Sequence, residues 1–204
     1  MQLYYARGTI AVAAAITLAE AGLEFEPVRV DFANAEQTKP DYQKVNPKGR
    51  VPVLVTDGGI LTETGAILDY IAAIAPDAGL IPADPFAAAR MREVMYYLAS
   101  TAHVNHAHKM RGHRWSDDPA AHASMTAKVQ ENMTACAAYI EENALARPFV
   151  LGDTVSLADP YLYAVAQWLP GDGVDLAAYP KLSAFNERFG ARPSVARTRD
   201  LRIL

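Results

Sequence analysis

Apolar positions change their spacing several times along the chain, and each change marks an element. Gln2-Leu3-Tyr4-Tyr5 has the composition of a short strand, and Gly8-Thr9 that of a turn. Residues 10–21 are apolar and alanine-rich, which predicts a buried helix stopped by Gly22. Residues 25–30 read as a second strand, and a strand, helix, strand order makes the two strands parallel with a right-handed crossover. Residues 33–48 are polar, with Pro40 and Asp41 opening one helical turn. The runs 51–55 and 59–61 flank Asp57-Gly58-Gly59 and predict an antiparallel hairpin. In 64–75, Ile67, Leu68, Ile71 and Ile74 recur at the spacing of a helix face turned to a core.

That order, strand-helix-strand-helix-strand-strand-helix, is the order of a thioredoxin-like domain. Pro76 and the run Leu80-Ile81-Pro82-Ala83-Asp84-Pro85 break the pattern, and everything beyond reads as helix. Long helices are expected over 86–111 and 119–146, and shorter ones over 181–189 and 194–201. Ser156-Leu157-Ala158-Asp159 has capping-box spacing, with Asp159 able to accept from the Ser156 N–H. The fold class is therefore an α/β N-terminal thioredoxin-like domain (1–79), a linker (80–84) and an all-α C-terminal domain (85–204).

Composition narrows the function more than the fold. A formal charge of -4 gives no reason to expect nucleic acid or an anionic membrane as partner. Residues 1–84 hold 6 Lys/Arg against 11 Asp/Glu, the remainder 13 against 12, which fits two domains with different surfaces. The single Cys136 excludes an intrachain disulfide and agrees with a reducing, cytoplasmic setting; on a helix it reads as a small core hydrophobe. Arg7 with the apolar run after it superficially resembles a secretory signal. A strand before the run and Gly22 after it favour a buried helix, and the run is too short to span a bilayer.

The stretch 46–70 carries the clearest chemistry. Val51-Pro52 at a strand entrance is a candidate cis bond that would turn the Val51 backbone outward toward an extended, peptide-like ligand; an ordinary trans proline is the alternative. Glu63-Thr64 lies where a strand meets a helix N-terminus, where N–H groups and a hydroxyl suit a carboxylate, although Thr64 could serve only as a cap.

Together with Met1-Gln2-Leu3-Tyr4-Tyr5, the block Asn46-Pro47-Lys48-Gly49-Arg50-Val51-Pro52-Val53-Leu54, Leu61-Thr62-Glu63-Thr64 and Ser156-Leu157-Ala158-Asp159-Pro160-Tyr161-Leu162, this spacing resembles the glutathione S-transferases, most closely the bacterial beta class. The resemblance implies that Val51, beside a cis Pro52, binds the cysteinyl backbone of glutathione. It implies that Glu63 and Thr64 hold the γ-glutamyl end, with Arg50 a further polar contact. Glutathione would be a co-substrate, with no permanently bound cofactor and no metal, and the chain would form a homodimer.

The chain departs from the beta class where catalysis is expected. Alignment from Met1 puts Ile10 at the position of the class's cysteine, and Ala11 and Arg7 at its following serine and loop proline. No thiol there can form a mixed disulfide with glutathione. Thr9, at the start of the first helix, is the first candidate to donate to the glutathione thiolate, or else it caps that helix. Arg7 and Ile10 are candidates for the hydrophobic-substrate side.

A second cluster runs from His103 to Trp115, with four histidines, three basic residues and no acid over 103–114. His103, His106 and Met110 fall at i, i+3 and i+7, on one face if the helix continues. Metal binding, a structural role and a substrate-facing surface all remain open; in the last, His103 or His106 polarises an electrophile, Lys109 and Arg111 attract anions, and Met110, Trp115 and Trp168 are apolar walls. The beta-class register maps its active-site histidine onto His103. The expected reaction is attack of the glutathione thiolate on a small hydrophobic electrophile in the cleft between the domains. A non-catalytic ligand-binding protein and a glutathione-dependent isomerase are the alternatives.

Overall fold

In this computed structural model, which describes residues 1–146 and 148–204, β1 (Gln2–Tyr5) leads into α1 (Ala11–Glu20) and β2 (Glu26–Arg29). A short α2 (Pro40–Val45) precedes the hairpin of β3 (Val53–Thr56) and β4 (Gly59–Thr62), and α3 (Thr64–Ile74) follows. The strands form a four-stranded sheet in the order β2-β1-β3-β4. β1 and β2 run parallel with Leu3 opposite Pro27, β1 and β3 antiparallel with Leu3 opposite Leu54, and β3 and β4 antiparallel with Leu54 opposite Leu61. This is the thioredoxin-like order that the apolar pattern predicts.

Burial explains why α1 is apolar all round. Residues Ala11 to Leu18 are all buried, because the helix packs against β1, α3 and a C-terminal helix described below. Thr17 is tolerated there because its hydroxyl donates to the Ala13 carbonyl at 2.8 Å. A second small core, Val30, Tyr42 and Val53, with Tyr4, Val51 and Val55 against it, fills the other side of the sheet.

Two compact units divide the chain: Met1–Pro82 with Phe189–Leu204, and Ala83–Arg188. The helical unit begins at α4 (Pro85–Tyr97), capped by the Asp84 carboxylate on the Ala87 N–H. The expected helix over 86–111 is interrupted. A π-helical turn (Leu98–Ala102) joins α4 to α5 (His103–Ala107), and the helix stops there. α6 (Pro119–Tyr139), which also ends in a π-helical turn, and α7 (Ala158–Ala166) follow, and then α8 (Pro180–Gly190). Asp159 is fully buried and accepts from the N–H groups of Ser156 (2.7 Å) and Val150 (2.8 Å), which ties the start of α7 to the loop before it. The cap position, however, is Leu157 and no side chain caps the helix, so only the Asp159 half of the expected capping box forms.

The final helix, α9 (Pro193–Asp200), packs on α1 and thus belongs to the first unit, whereas a domain drawn over 85–204 puts it in the second. The chemistry that returns it is an ion pair. Arg192 binds the Glu20 carboxylate through two nitrogens at 2.6 and 2.7 Å, and the Ser194 hydroxyl donates to the same group. Ile203 adds a carbonyl that accepts from the Gly8 N–H at 3.0 Å. No described helix is long and apolar enough to cross a membrane.

Candidate functional site

In the first unit the site is built around the residue before Pro52. Asn46, 1% exposed, donates its amide to the Arg50 carbonyl at 2.7 Å, and the Tyr42 hydroxyl donates to the same oxygen at 2.7 Å. Burial pushes the Tyr42 hydroxyl well above its ordinary pKa, with Tyr4 and Glu36 adding to the effect, so it remains a donor. Gly49 fits beneath this arrangement because its φ is +62° and a Cβ would lie 3.0 Å from the Gln37 carbonyl. The Arg50 carbonyl is thus pinned from two sides while its side chain is exposed.

The Val51–Pro52 peptide is cis. Val51 lies outside the ladder, one residue before Pro52, and among the described residues its N–H and C=O form no hydrogen bond. An unpaired donor and acceptor on one half-buried residue just before a central strand are what an extended peptide ligand pairs with.

A second pole lies at the start of α3. Glu63 sits at the cap position with φ +69°, in the left-handed region, at a cost of about 1–3 kcal/mol for a non-glycine residue. The N–H groups of Thr64, Gly65 and Ala66 are unbonded among the described residues, since the first to return is Ile67 to Glu63. Thr64 is 7% exposed and is not the cap; its hydroxyl has no protein partner among the described residues. Such an end suits an anionic group. The Glu63 carboxylate accepts from Lys48 at 2.5 Å, and Lys48 also donates to Thr62 at 2.6 Å. Lys48 stands inside the block read from the sequence but carries no assigned role there.

Around the start of α1 the outcome is mixed. Thr9 does not cap the helix: its hydroxyl donates to the Ala6 carbonyl at 2.6 Å, and the cap position is Ile10. The Ile10 side chain is 4% exposed and belongs to the core, so it is not a substrate-facing residue as expected; the start of a fully buried helix draws it inward. Arg7 is exposed and forms no ion pair among the described residues. The N–H groups of Ile10 and Ala11 make no hydrogen bond among the described residues, because the first helical bonds are Val12 to Thr9 and Ala13 to Ile10.

In the helical unit, His106 and His103 both lie against Trp168. The His106 ring stacks on the indole at 4.3 Å and 16°, and the His103 ring is tilted over it at 5.0 Å. Trp168 is 9% exposed and backs the pair rather than standing as an open wall. His106 Nδ1 lies 2.6 Å from the carboxylate of Asp172, which Lys109 also binds at 3.2 Å. Lys109 is therefore committed to Asp172 and to the Gly171 carbonyl. Met110 does not share the face of His103 and His106. The helix ends at Ala107 and turns through 108–110, leaving Met110 83% exposed beyond it. Trp115 is 46% exposed and meets His108 edge-on at 4.5 Å. Among the described residues no group of three or more His, Cys, Asp and Glu is placed to hold a metal ion.

A thioredoxin-like sheet with an unpaired residue before a cis proline, and an open helix start beyond the hairpin, make up the candidate site of the first unit. Comparison with known proteins is specific. The N-terminal domain of glutathione S-transferases matches residues 1–73, and the C-terminal domain matches residues 88–193. The chain belongs to the glutathione S-transferase family. It is 31% identical to glutathione S-transferase GstA of Escherichia coli O157:H7, over 96% of this chain and 95% of that protein. Maleylacetoacetate isomerase of Pseudomonas aeruginosa is 29% identical, over 95% and 93%. A crystal structure of a glutathione transferase homologue from Sulfitobacter, with bound glutathione, shares 60% identity and a TM-score of 0.98, covering 100% of this chain and 98% of that one.

Proposed function

We propose that this protein binds glutathione as a co-substrate and transfers its thiolate to a small hydrophobic electrophile. The observation that carries the reading is the unpaired Val51 backbone beside cis Pro52, with the open start of α3 beyond it. Val51 pairs with the cysteinyl residue of glutathione, while Thr64 and the α3 N–H groups take the γ-glutamyl carboxylate. Glu63 takes the γ-glutamyl amino group, and Arg50 extends an exposed charge toward the other carboxylate. The glutathione-bound Sulfitobacter structure supports this assignment through its 60% identity.

The thiolate must be stabilised without a protein thiol, because the one cysteine, Cys136, is buried on α6. The N–H groups of Ile10 and Ala11 at the positive end of α1 supply that stabilisation, since the Thr9 hydroxyl is already held by Ala6. The Thr9 hydroxyl adds stability to the turn before α1 and is not one of the donors. His103 and His106, with exposed Met110 and Trp115, belong to the second-substrate side. Arg7, exposed and without an ion-pair partner among the described residues, suits an acidic group on the electrophile.

Titration calorimetry with glutathione, followed by conjugation of chlorodinitrobenzene, tests the reading. Binding with turnover supports it, binding without turnover favours a ligand-binding protein, and no binding at millimolar glutathione rejects it. Isomerisation is the second reading, favoured by the identity to maleylacetoacetate isomerase; a cis-enone that returns its trans isomer with glutathione unconsumed would select it. A homodimer in the cytoplasm is the expected form, checked by sedimentation and fractionation.

A further inference from the structure

His106 and Asp172 lie 66 residues apart in sequence and meet at 2.6 Å. Asp172 has no side-chain exposure and is fixed by backbone bonds from its N–H to the Trp168 and Leu169 carbonyls. Because a carboxylate accepts, His106 Nδ1 donates to it and carries the proton. Stacking on Trp168 holds the ring in that orientation. Nε2, on the opposite edge of a ring whose side chain is 30% exposed, has no partner among the described residues.

We infer that Asp172 is a positioning residue that locks His106 in its Nδ1–H tautomer, so that Nε2 is a hydrogen-bond acceptor selecting co-substrates that carry an O–H donor. This rests on the helical unit binding the second substrate and deepens that reading by naming a substrate class. Asp172 does so because its two oxygens face two different donors: Lys109 at Oδ1, His106 at Oδ2. Lys109 can only donate. In Asp172→Asn the single amide oxygen therefore turns to Lys109 and the NH₂ group to His106 Nδ1. The proton moves to Nε2, and the acceptor becomes a donor.

The test combines nitrogen NMR of the His106 ring, under conditions where the imidazole is neutral, with binding of 4-hydroxyacetophenone and its methyl ether to glutathione-saturated protein. The wild type is expected to show the Nδ1–H tautomer and to prefer the hydroxyl compound by about threefold to tenfold. Asp172→Asn, with unchanged circular dichroism, is expected to show the Nε2–H tautomer and no preference. Lys109→Met alone is expected to keep the wild-type tautomer. Adding it to Asp172→Asn frees the amide oxygen for His106 and restores both tautomer and preference, a rescue that loss of packing does not produce.

An Nε2–H tautomer in the wild type overturns the inference, and that measurement needs no variant to fold. A hydroxyl preference that survives a switched tautomer overturns it as well. Glutathione binding measured on the same samples separates this outcome from failure of the transferase reading, because the His106 tautomer is read without any ligand.

Discussion

Asn46 donates to the Arg50 carbonyl at 2.7 Å from a position that is 1% exposed, and this bond sets where Val51 faces. The same side chain accepts from the Lys48 N–H at 3.1 Å, so one amide ties both ends of the turn. Replacing it by alanine leaves a buried carbonyl with one donor instead of two. Asn46→Ala is expected to cost about 1–3 kcal/mol in denaturant unfolding. Glutathione binding should weaken by about tenfold, because the Val51 backbone is then no longer held ready for pairing. Unchanged affinity in a folded Asn46→Ala protein would show that Val51 is not the recognition point.

The Lys48 side chain is 42% exposed and that of Glu63 70%, so their bond contributes little to stability, about 0.5 kcal/mol or less. Its consequence lies in binding. Lys48 competes for the carboxylate assigned to the ligand's amino group. Lys48→Met is expected to leave unfolding almost unchanged and to tighten glutathione binding, whereas Glu63→Gln is expected to weaken it by about tenfold. Both effects should shrink as salt rises. Equal weakening by both variants would assign Lys48 to the ligand instead.

Thr9 offers a direct test of what activates the thiol. Its hydroxyl is bonded to Ala6, so Thr9→Val removes that bond while leaving the α1 N–H groups in place. The thiol of bound glutathione, followed by ultraviolet absorbance, should titrate below its free value in the wild type. It should titrate at nearly the same pH in Thr9→Val, which loses about 1 kcal/mol of stability. A thiol returned to its free value in the variant would make the Thr9 hydroxyl the activating donor.

The sheet was legible because its information is local. Apolar runs, the Asp57-Gly58-Gly59 turn and the Val51-Pro52 entrance each announce themselves within a few residues, and the register follows from them. The glutathione-type block was legible for the same reason. Met110 was misplaced because i, i+3, i+7 spacing assumes an unbroken helix, and nothing in the sequence marks the stop at Ala107. Ile10 was misplaced because alignment gives a position and not a direction. Asp172 was invisible: it stands between two glycines in a turn, and only folding brings it to His106. α9 carried no sign that Arg192 would cross 172 residues to Glu20.

That last pair gives stability a pH dependence. Burial alone raises the pKa of Glu20, but the hydrogen bonds from Arg192 and Ser194 outweigh it, and the net shift is downward. A folded-state pKa below the unfolded one means that the contribution is complete above the ordinary value, near 4.5, and is lost as pH falls through the lowered one. Glu20→Gln keeps the shape and removes the charge. Because Glu20 is only 11% exposed and Arg192 about a third, the loss at neutral pH is expected to be about 2 kcal/mol. The gap between the two proteins should then close with acidification below about pH 4.5, since the wild type loses what the variant never had. Urea unfolding of both across that range measures it; a gap that stays constant with pH would mean that α9 is held on α1 by packing and not by this carboxylate.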